Sequence, residues 1–270
     1  MSTVLTRILT PETEEQTSVW RTYHENSKTE RFHRPPSSAE VRHRMDQQIL
    51  SLEYKGYPKT ELPEPARIEQ GFSDLVRARQ TARVMAPGPV SLETLSALLY
   101  SAYGENRSNE GTDFPRPFRV IPSGGALYPL EIYFHSTRIE GLAAGLYHYN
   151  PHNNSVSRLV RGDLTHKLSP TLVQTNIPLD ASIMVFVTAM FARSSFKYEE
   201  RSYRFALIEC GHLMQNLCLA ATGLGLGATP VGGFFDREVD QILGIDGVTH
   251  STLYVAAIGQ DGEAQSDGRQ

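Results

Sequence analysis

Lys197 and Tyr198 stand side by side in Arg193-Ser194-Ser195-Phe196-Lys197-Tyr198-Glu199-Glu200-Arg201, an amine and a phenol that follow a strongly apolar run. Such groups give and take protons when a fold holds them against a substrate. Two further segments carry binding chemistry. Arg79-Gln80-Thr81-Ala82-Arg83 offers two guanidinium groups and a hydroxyl, donors that grip a phosphate and a polyol through charge-assisted hydrogen bonds. Pro122-Ser123-Gly124-Gly125-Ala126-Leu127-Tyr128-Pro129 places paired glycines ahead of a strand, where bare backbone can come close to a flat ligand. Each segment also has a plain reading: a solvated basic face, a simple turn, a charged surface stretch.

The elements that must position these residues follow from hydrophobic periodicity. Helix signals cover 74–80 and 91–102, and a loop rich in Gly, Asn and Pro fills 104–118. Strands are expected at 130–135 and 145–149, with 155–160 returning as a hairpin across Asn150-Pro151-His152-Asn153-Asn154. Ile183 to Met190 reads as a buried strand, and its C-terminal end delivers the Lys197 segment, a common place for sites. A long helix over 203–222 stops at Gly223; a strand at 228–231, a helix at 236–243 and a last strand from Leu253 to Ile258 complete the chain. The order mixes α and β without strict βαβ alternation. Gly223-Leu224-Gly225-Leu226-Gly227 follows a helix and enters a strand, the reverse of a dinucleotide-binding turn.

The first 70 residues are polar and rich in His, Arg and Pro, with one helix started by Ser38 and running through Val41, Met45, Ile49 and Leu52 to Gly56. That helix is expected to dock on the main body or on a partner. The expected organisation is an N-terminal extension over 1–70, a domain over 71–262 and a disordered tail over 263–270.

Composition excludes several classes. Hydrophobic residues make up 40% and charged residues 21% of the chain, which is ordinary for a folded protein. The net charge of −4 exerts no long-range pull on nucleic acid or anionic lipid. No stretch reaches the ~20 apolar residues needed to cross a bilayer, and Met1 to Pro11 lacks a signal-peptide core, so a cytoplasmic location is expected. Cys210 and Cys218 lie on one helix some eight residues apart, roughly 12 Å along its axis, too far for a disulfide. The histidines show no ligand spacing and no metal is expected. His148, between Tyr147 and Tyr149 on a strand, points to the face opposite both and reads as structural.

Taken together and in order, Pro122-Ser123-Gly124-Gly125-Ala126-Leu127-Tyr128-Pro129-Leu130-Glu131, Phe196-Lys197-Tyr198 and Tyr203-Arg204-Phe205-Ala206-Leu207-Ile208-Glu209 resemble the SagB/McbC-type azoline dehydrogenases. These are nitroreductase-like flavoproteins of the synthetases that make thiazole- and oxazole-containing peptides. The resemblance spans about residues 70–260, with Tyr23-His24-Glu25 and Ser27-Lys28 as a weaker echo. It implies an α+β nitroreductase-like fold, a central mixed β-sheet flanked by helices, and a homodimer with FMN sites at the subunit interface. It places FMN phosphate and ribityl groups on Arg79, Thr81 and Arg83, the flavin of the other subunit against Ser123, Gly124 and Gly125, and the N5 edge near Pro230, Val231, Gly232 and Gly233. Gln260 and Asp261 stand where many relatives carry a basic phosphate contact. The implied catalysts are Lys197 and Tyr198, removing the ring proton of a thiazoline or oxazoline while hydride passes to FMN. Cyclodehydratase subunits and a precursor peptide are the implied partners. Rival readings are an NAD(P)H-dependent nitro or quinone reductase of the same fold, a non-catalytic scaffold subunit, and a flavin desaturase forming Cα=Cβ bonds.

Overall fold

The computed structural model describes residues 18–112 and 114–262. The Met1–Pro11 stretch and the 263–270 tail lie outside them. In chain order the elements are α1 (Val19–Asn26), α2 (Ser38–Asp46), β1 (Lys59–Glu61), α3 (Phe72–Ala78), β2 (Met85–Ala86), α4 (Leu92–Tyr103), β3 (Glu105–Ser108), β4 (Pro117–Arg119), β5 (Leu130–Ser136), β6 (Gly145–Asn150) and β7 (Ser155–Arg161). There follow α5 (Thr165–Leu168), α6 (Ile177–Asp180), β8 (Ile183–Met190), α7 (Ala192–Tyr198), α8 (Arg201–Gly223), β9 (Leu226–Val231), α9 (Asp236–Leu243) and β10 (His250–Asp261).

Eight strands form the main sheet in the order β1-β7-β6-β5-β8-β10-β2, with β9 also on β10. All its ladders are antiparallel; parallel pairing occurs as isolated bridges, Thr81 with Ala228 and Val90 with Ile139. Period-two alternation sorts the core into two layers. On β8, Ile183, Val185, Val187 and Ala189 face the layer that holds Leu95, Leu98, Leu213 and Leu217 of α4 and α8. Met184 and Phe186 face the other, with Leu168, Ile177 and Val239 of α5, α6 and α9. A strand buried on both faces is therefore nearly all apolar; the exception on β8, Thr188, is bonded to His250 Nε2 at 2.7 Å.

The N-terminal helix is shorter than its periodicity suggests. Ser37, not Ser38, caps it by accepting from Glu40 N at 3.2 Å, and it ends at Asp46. Beyond that point the chain serves tertiary bonds: Gln48 Nε2 donates to Leu127 O at 2.7 Å, Arg119 Nη2 to Leu50 O at 2.7 Å, and Leu52 N to Glu131 Oε1 at 3.1 Å. A continued helix would tie up or mis-aim these groups. β1 then adds an edge strand beside β7, so the polar N-terminal region is part of the main sheet. Among the described residues, no helix is long and apolar enough to cross a membrane.

Candidate active site

The Lys197 segment forms a short helix, α7, between the end of β8 and the start of α8. Adjacent helical side chains diverge by about 100°, which by itself would send the amine and phenol apart. The structure brings their tips together. A Cβ built on Gly125 would lie 2.7 Å from Lys197 Nζ and 2.7 Å from Tyr198 Oη. Lys197 folds back so that Nζ lies 5.1 Å from the centre of the Tyr198 ring, and Phe205 holds that ring edge to face at 4.9 Å.

Gly125 has φ +65°, and no side chain fits between it and the two polar tips. Non-glycine residues with positive φ are concentrated here: Ala126, Tyr128 and Glu199 border the pair, and Asn154 is the only other one among the described residues. Backbone held in this way gathers at functional sites. Gly125→Ala is expected to cost about 1–2 kcal/mol for the left-handed backbone alone and to push the tips aside. Thermal unfolding and turnover measured together check this, and unchanged turnover in a folded variant would contradict the contact.

A cavity of about 720 Å3 opens beside the loop, bordered by Met45, Phe114, Arg116, Arg119, Ser123 and Gly125. Ser123 Oγ accepts from Tyr128 N at 3.0 Å and so turns the loop back toward β5. Beneath it lies Glu209, buried on α8. Tyr103 Oη donates to Glu209 Oε1 at 2.8 Å, and the Ser123 hydroxyl lies close to the same carboxyl. Burial pushes this carboxyl up to about 7. The folded state then holds a proton that the unfolded chain releases near 4.5, so stability falls as pH rises through that window. The loss is on the order of 3 kcal/mol by pH 8. Glu209→Gln keeps an acceptor for Tyr103 and is expected to flatten the urea midpoint between pH 5 and pH 8; parallel pH curves for both proteins would refute the assignment.

The second group of candidate residues assembles elsewhere. Thr81 bridges Ala228, Ala82 N donates to Ala228 O at 3.2 Å, and Thr229 Oγ1 donates to Ala82 O at 2.6 Å. The Arg79–Arg83 segment is thereby fixed to β9, which continues into Pro230, Val231, Gly232 and Gly233. Thr81, Arg83, Gln174, Asn176, Asp180 and Thr229 border a cavity of about 410 Å3. The hydroxyls, amides and one guanidinium are donors that a polyol phosphate such as the FMN tail can use, with the Asp180 carboxylate as the one anionic group in the lining. Arg79 does not line that cavity; it caps the end of α3. Gln260 reaches back to Pro89 O at 3.4 Å, leaving Arg83 as the cation at the cavity.

The two groups lie toward opposite ends of the central strands. Thr81 aligns through Ala228 and Ile258 with Ile183, whereas the Gly125 loop runs into Leu130, which pairs with Ala189. Six residues of β8 separate these levels, about 20 Å at 3.3 Å per residue.

Sequence reasoning missed the buried polar groups behind the site, Glu131, Arg193 and Glu209. A carboxylate inside an apolar strand or on the inner face of an apolar helix was the available signal.

An antiparallel sheet thus lies between two helical layers, with Lys197 and Tyr198 at one end and the Thr81–Arg83 cavity at the other. Residues 76–260 match the Nitroreductase family, and the chain belongs to that family. A nitroreductase-named protein of Methanocaldococcus jannaschii is 35% identical over 185 residues, covering 68% of this chain and 89% of its own. The microcin B17-processing protein McbC of Escherichia coli is 30% identical over 185 residues, 63% of this chain and 62% of McbC. In structure, the E. coli microcin synthetase McbBCD complex with truncated pro-MccB17 bound contains a chain with a TM-score of 0.59 at 24% identity, covering 90% of this chain and 91% of that one.

Proposed function

We propose that the protein is an FMN-dependent azoline dehydrogenase that converts thiazoline or oxazoline rings of a peptide to thiazoles or oxazoles. The observation that carries this reading is the meeting of Lys197 Nζ and Tyr198 Oη at Gly125, a residue of the loop that also borders the cavity of about 720 Å3, which the two side chains themselves do not line. The similarity to McbC supports it.

Aromatisation removes one proton and one hydride from the ring. Bound FMN supplies the two-electron acceptor. Lys197 accepts the ring proton and Tyr198 orients the ring and shares that proton, while Gly125 leaves the space that both tips need. Thr81 and Arg83 hold the cofactor's polyol and phosphate, and Pro230 to Gly233 bring backbone to its ring.

The site is shared by two copies. The proton-transfer end and the cofactor-tail end stand about 20 Å apart along β8, so two protomers packed antiparallel about a two-fold axis bring opposite ends together at each of two sites. α8 offers the surface for that contact: Tyr203, Leu207 and Ile208 are 40%, 44% and 55% exposed, and open space lies above Gly211. Cyclodehydratase subunits that make the azoline on a precursor peptide are the proposed partners.

Incubating the purified, FMN-loaded protein with an azoline-containing peptide and weighing the product tests the reading. Loss of two hydrogens per ring is expected. Rapid bleaching of the flavin by NADPH with no change in the peptide would instead favour a nitro or quinone reductase, and a colourless protein that cannot take up FMN would favour a scaffold.

A further inference from the structure

Behind the Lys197–Tyr198 pair lies a buried charge that its chemistry does not use. Glu131 sits on β5 between Leu130 and Ile132, 1% exposed. Its Oε1 accepts from Arg193 Nη2 at 2.5 Å and from Leu52 N at 3.1 Å, and its Oε2 accepts from His148 Nε2 at 2.6 Å. Burial would raise its pKa, but Arg193 and His148 outweigh burial and hold it well below the ordinary carboxylate range.

Arg193 is the other half of the device. It lies on the first turn of α7, one turn ahead of Lys197, and is 5% exposed. Its Nη1 also donates to Tyr128 O at 3.3 Å, the carbonyl at the end of the loop that contains Gly125. One guanidinium therefore ties α7 to the sheet and to the loop that the catalytic tips must meet. A planar fork does this and an ammonium cannot, because the two bonds need donors in a fixed relative geometry.

Apart from this fork, α7 is fixed chiefly by its packing against α8, where the Tyr198 ring meets Phe205. It has no side-chain cap, and it ends at Glu199 in a positive-φ conformation. Rotation of so short a helix by a fraction of a turn would carry Lys197 and Tyr198 off Gly125.

We propose that Glu131 is a positioning residue for the Lys197–Tyr198 pair: through Arg193 it locks α7 against β5 and the Tyr128 carbonyl, so that the amine and phenol arrive together at Gly125. His148 and Leu52 N fix the carboxylate, so the Leu50–Leu52 segment and β6 take part in the same lock. The catalytic meaning of this positioning rests on the dehydrogenase reading above, but the geometry does not.

The experiment reads both separately. The FMN-loaded full chain and its Glu131→Gln and Arg193→Lys variants are treated with a limiting amine-acylating reagent, and modification is resolved by mass spectrometry at Lys28, Lys55, Lys59, Lys167 and Lys197. The expected result is a several-fold faster reaction at Lys197 alone in both variants. With an azoline peptide, kcat should fall on the order of 100-fold, the effect of a displacement of about 1 Å, while KM and FMN content stay close to the parent's. Arg193→Lys keeps a cation beside Glu131, so it carries the test if Glu131→Gln does not fold. Unchanged Lys197 reactivity in a folded variant overturns the proposal. Faster Lys197 labelling in a protein whose parent does not oxidise azolines leaves the lock standing and removes the dehydrogenase reading.

Discussion

Lys197→Met is expected to lower azoline oxidation by about 10²- to 10⁴-fold, the range for loss of a positioned proton acceptor, while the protein stays folded and yellow. Methionine reproduces most of the length and packing of the lysine stem but has no nitrogen to accept a proton. Because Lys197 is at the Gly125 end and not at the Thr81–Arg83 cavity, FMN content read from the visible spectrum should not change. Tyr198→Phe should cost less than Lys197→Met, since in the proposed chemistry the phenol shares the proton rather than taking it, and its ring still packs on Phe205. Full azole formation by Lys197→Met would end the assignment. Equal losses in both variants, with substrate affinity unchanged, would make the phenol an equal partner.

Much of this arrangement is legible in the sequence where one physical rule dominates. β8 occupies Ile183–Met190, as its apolar run, broken by Thr188 alone, indicates, because a strand covered on both faces favours apolar residues at every position. The β6–β7 hairpin and the helix at Asp236–Leu243 also follow from turn residues and periodicity. The end of α2 does not. Its apolar spacing continues to Leu52, but the backbone of Leu50 and Leu52 is needed by Arg119 and Glu131, partners about 70 to 80 residues away that no local window contains.

The site divides along the same line. The residue types at Lys197–Tyr198 and the backbone freedom at Gly124–Gly125 can be read from the chain alone. Their meeting cannot, because it depends on α7 stopping at Tyr198 and on Lys197 folding over its neighbour's ring. His148 shows how a partly correct expectation arises. Alternation places it opposite Tyr147 and Tyr149, which lie in the α4–α8 layer, but only the register of β5 with β6 sets it beside Tyr133 and within reach of Glu131.

Mixing two inactive variants should restore activity, and this is the sharpest consequence of the separation along β8. In the proposed dimer each site takes Thr81 and Arg83 from one protomer and Lys197 and Tyr198 from its partner. Arg83→Glu then spoils the cofactor end, by setting a second carboxylate beside Asp180 at the cavity, and Lys197→Met spoils the proton-transfer end. Each homodimer has two defective sites. A heterodimer concentrates both defects in one site and leaves the other whole, as two-fold symmetry requires. Random exchange of equal amounts gives about half heterodimers, hence about a quarter of the parent activity. Recovery should track the kinetics of subunit exchange and should vanish when Ile208→Glu blocks the exposed α8 face. If the mixture stays inactive while exchange is shown independently, for instance by mass-resolved heterodimers, both ends of the site belong to one protomer. The separation along β8 would then have to be closed within a single chain, by movement of the Gly125 loop and α7 toward the β9 end of the sheet.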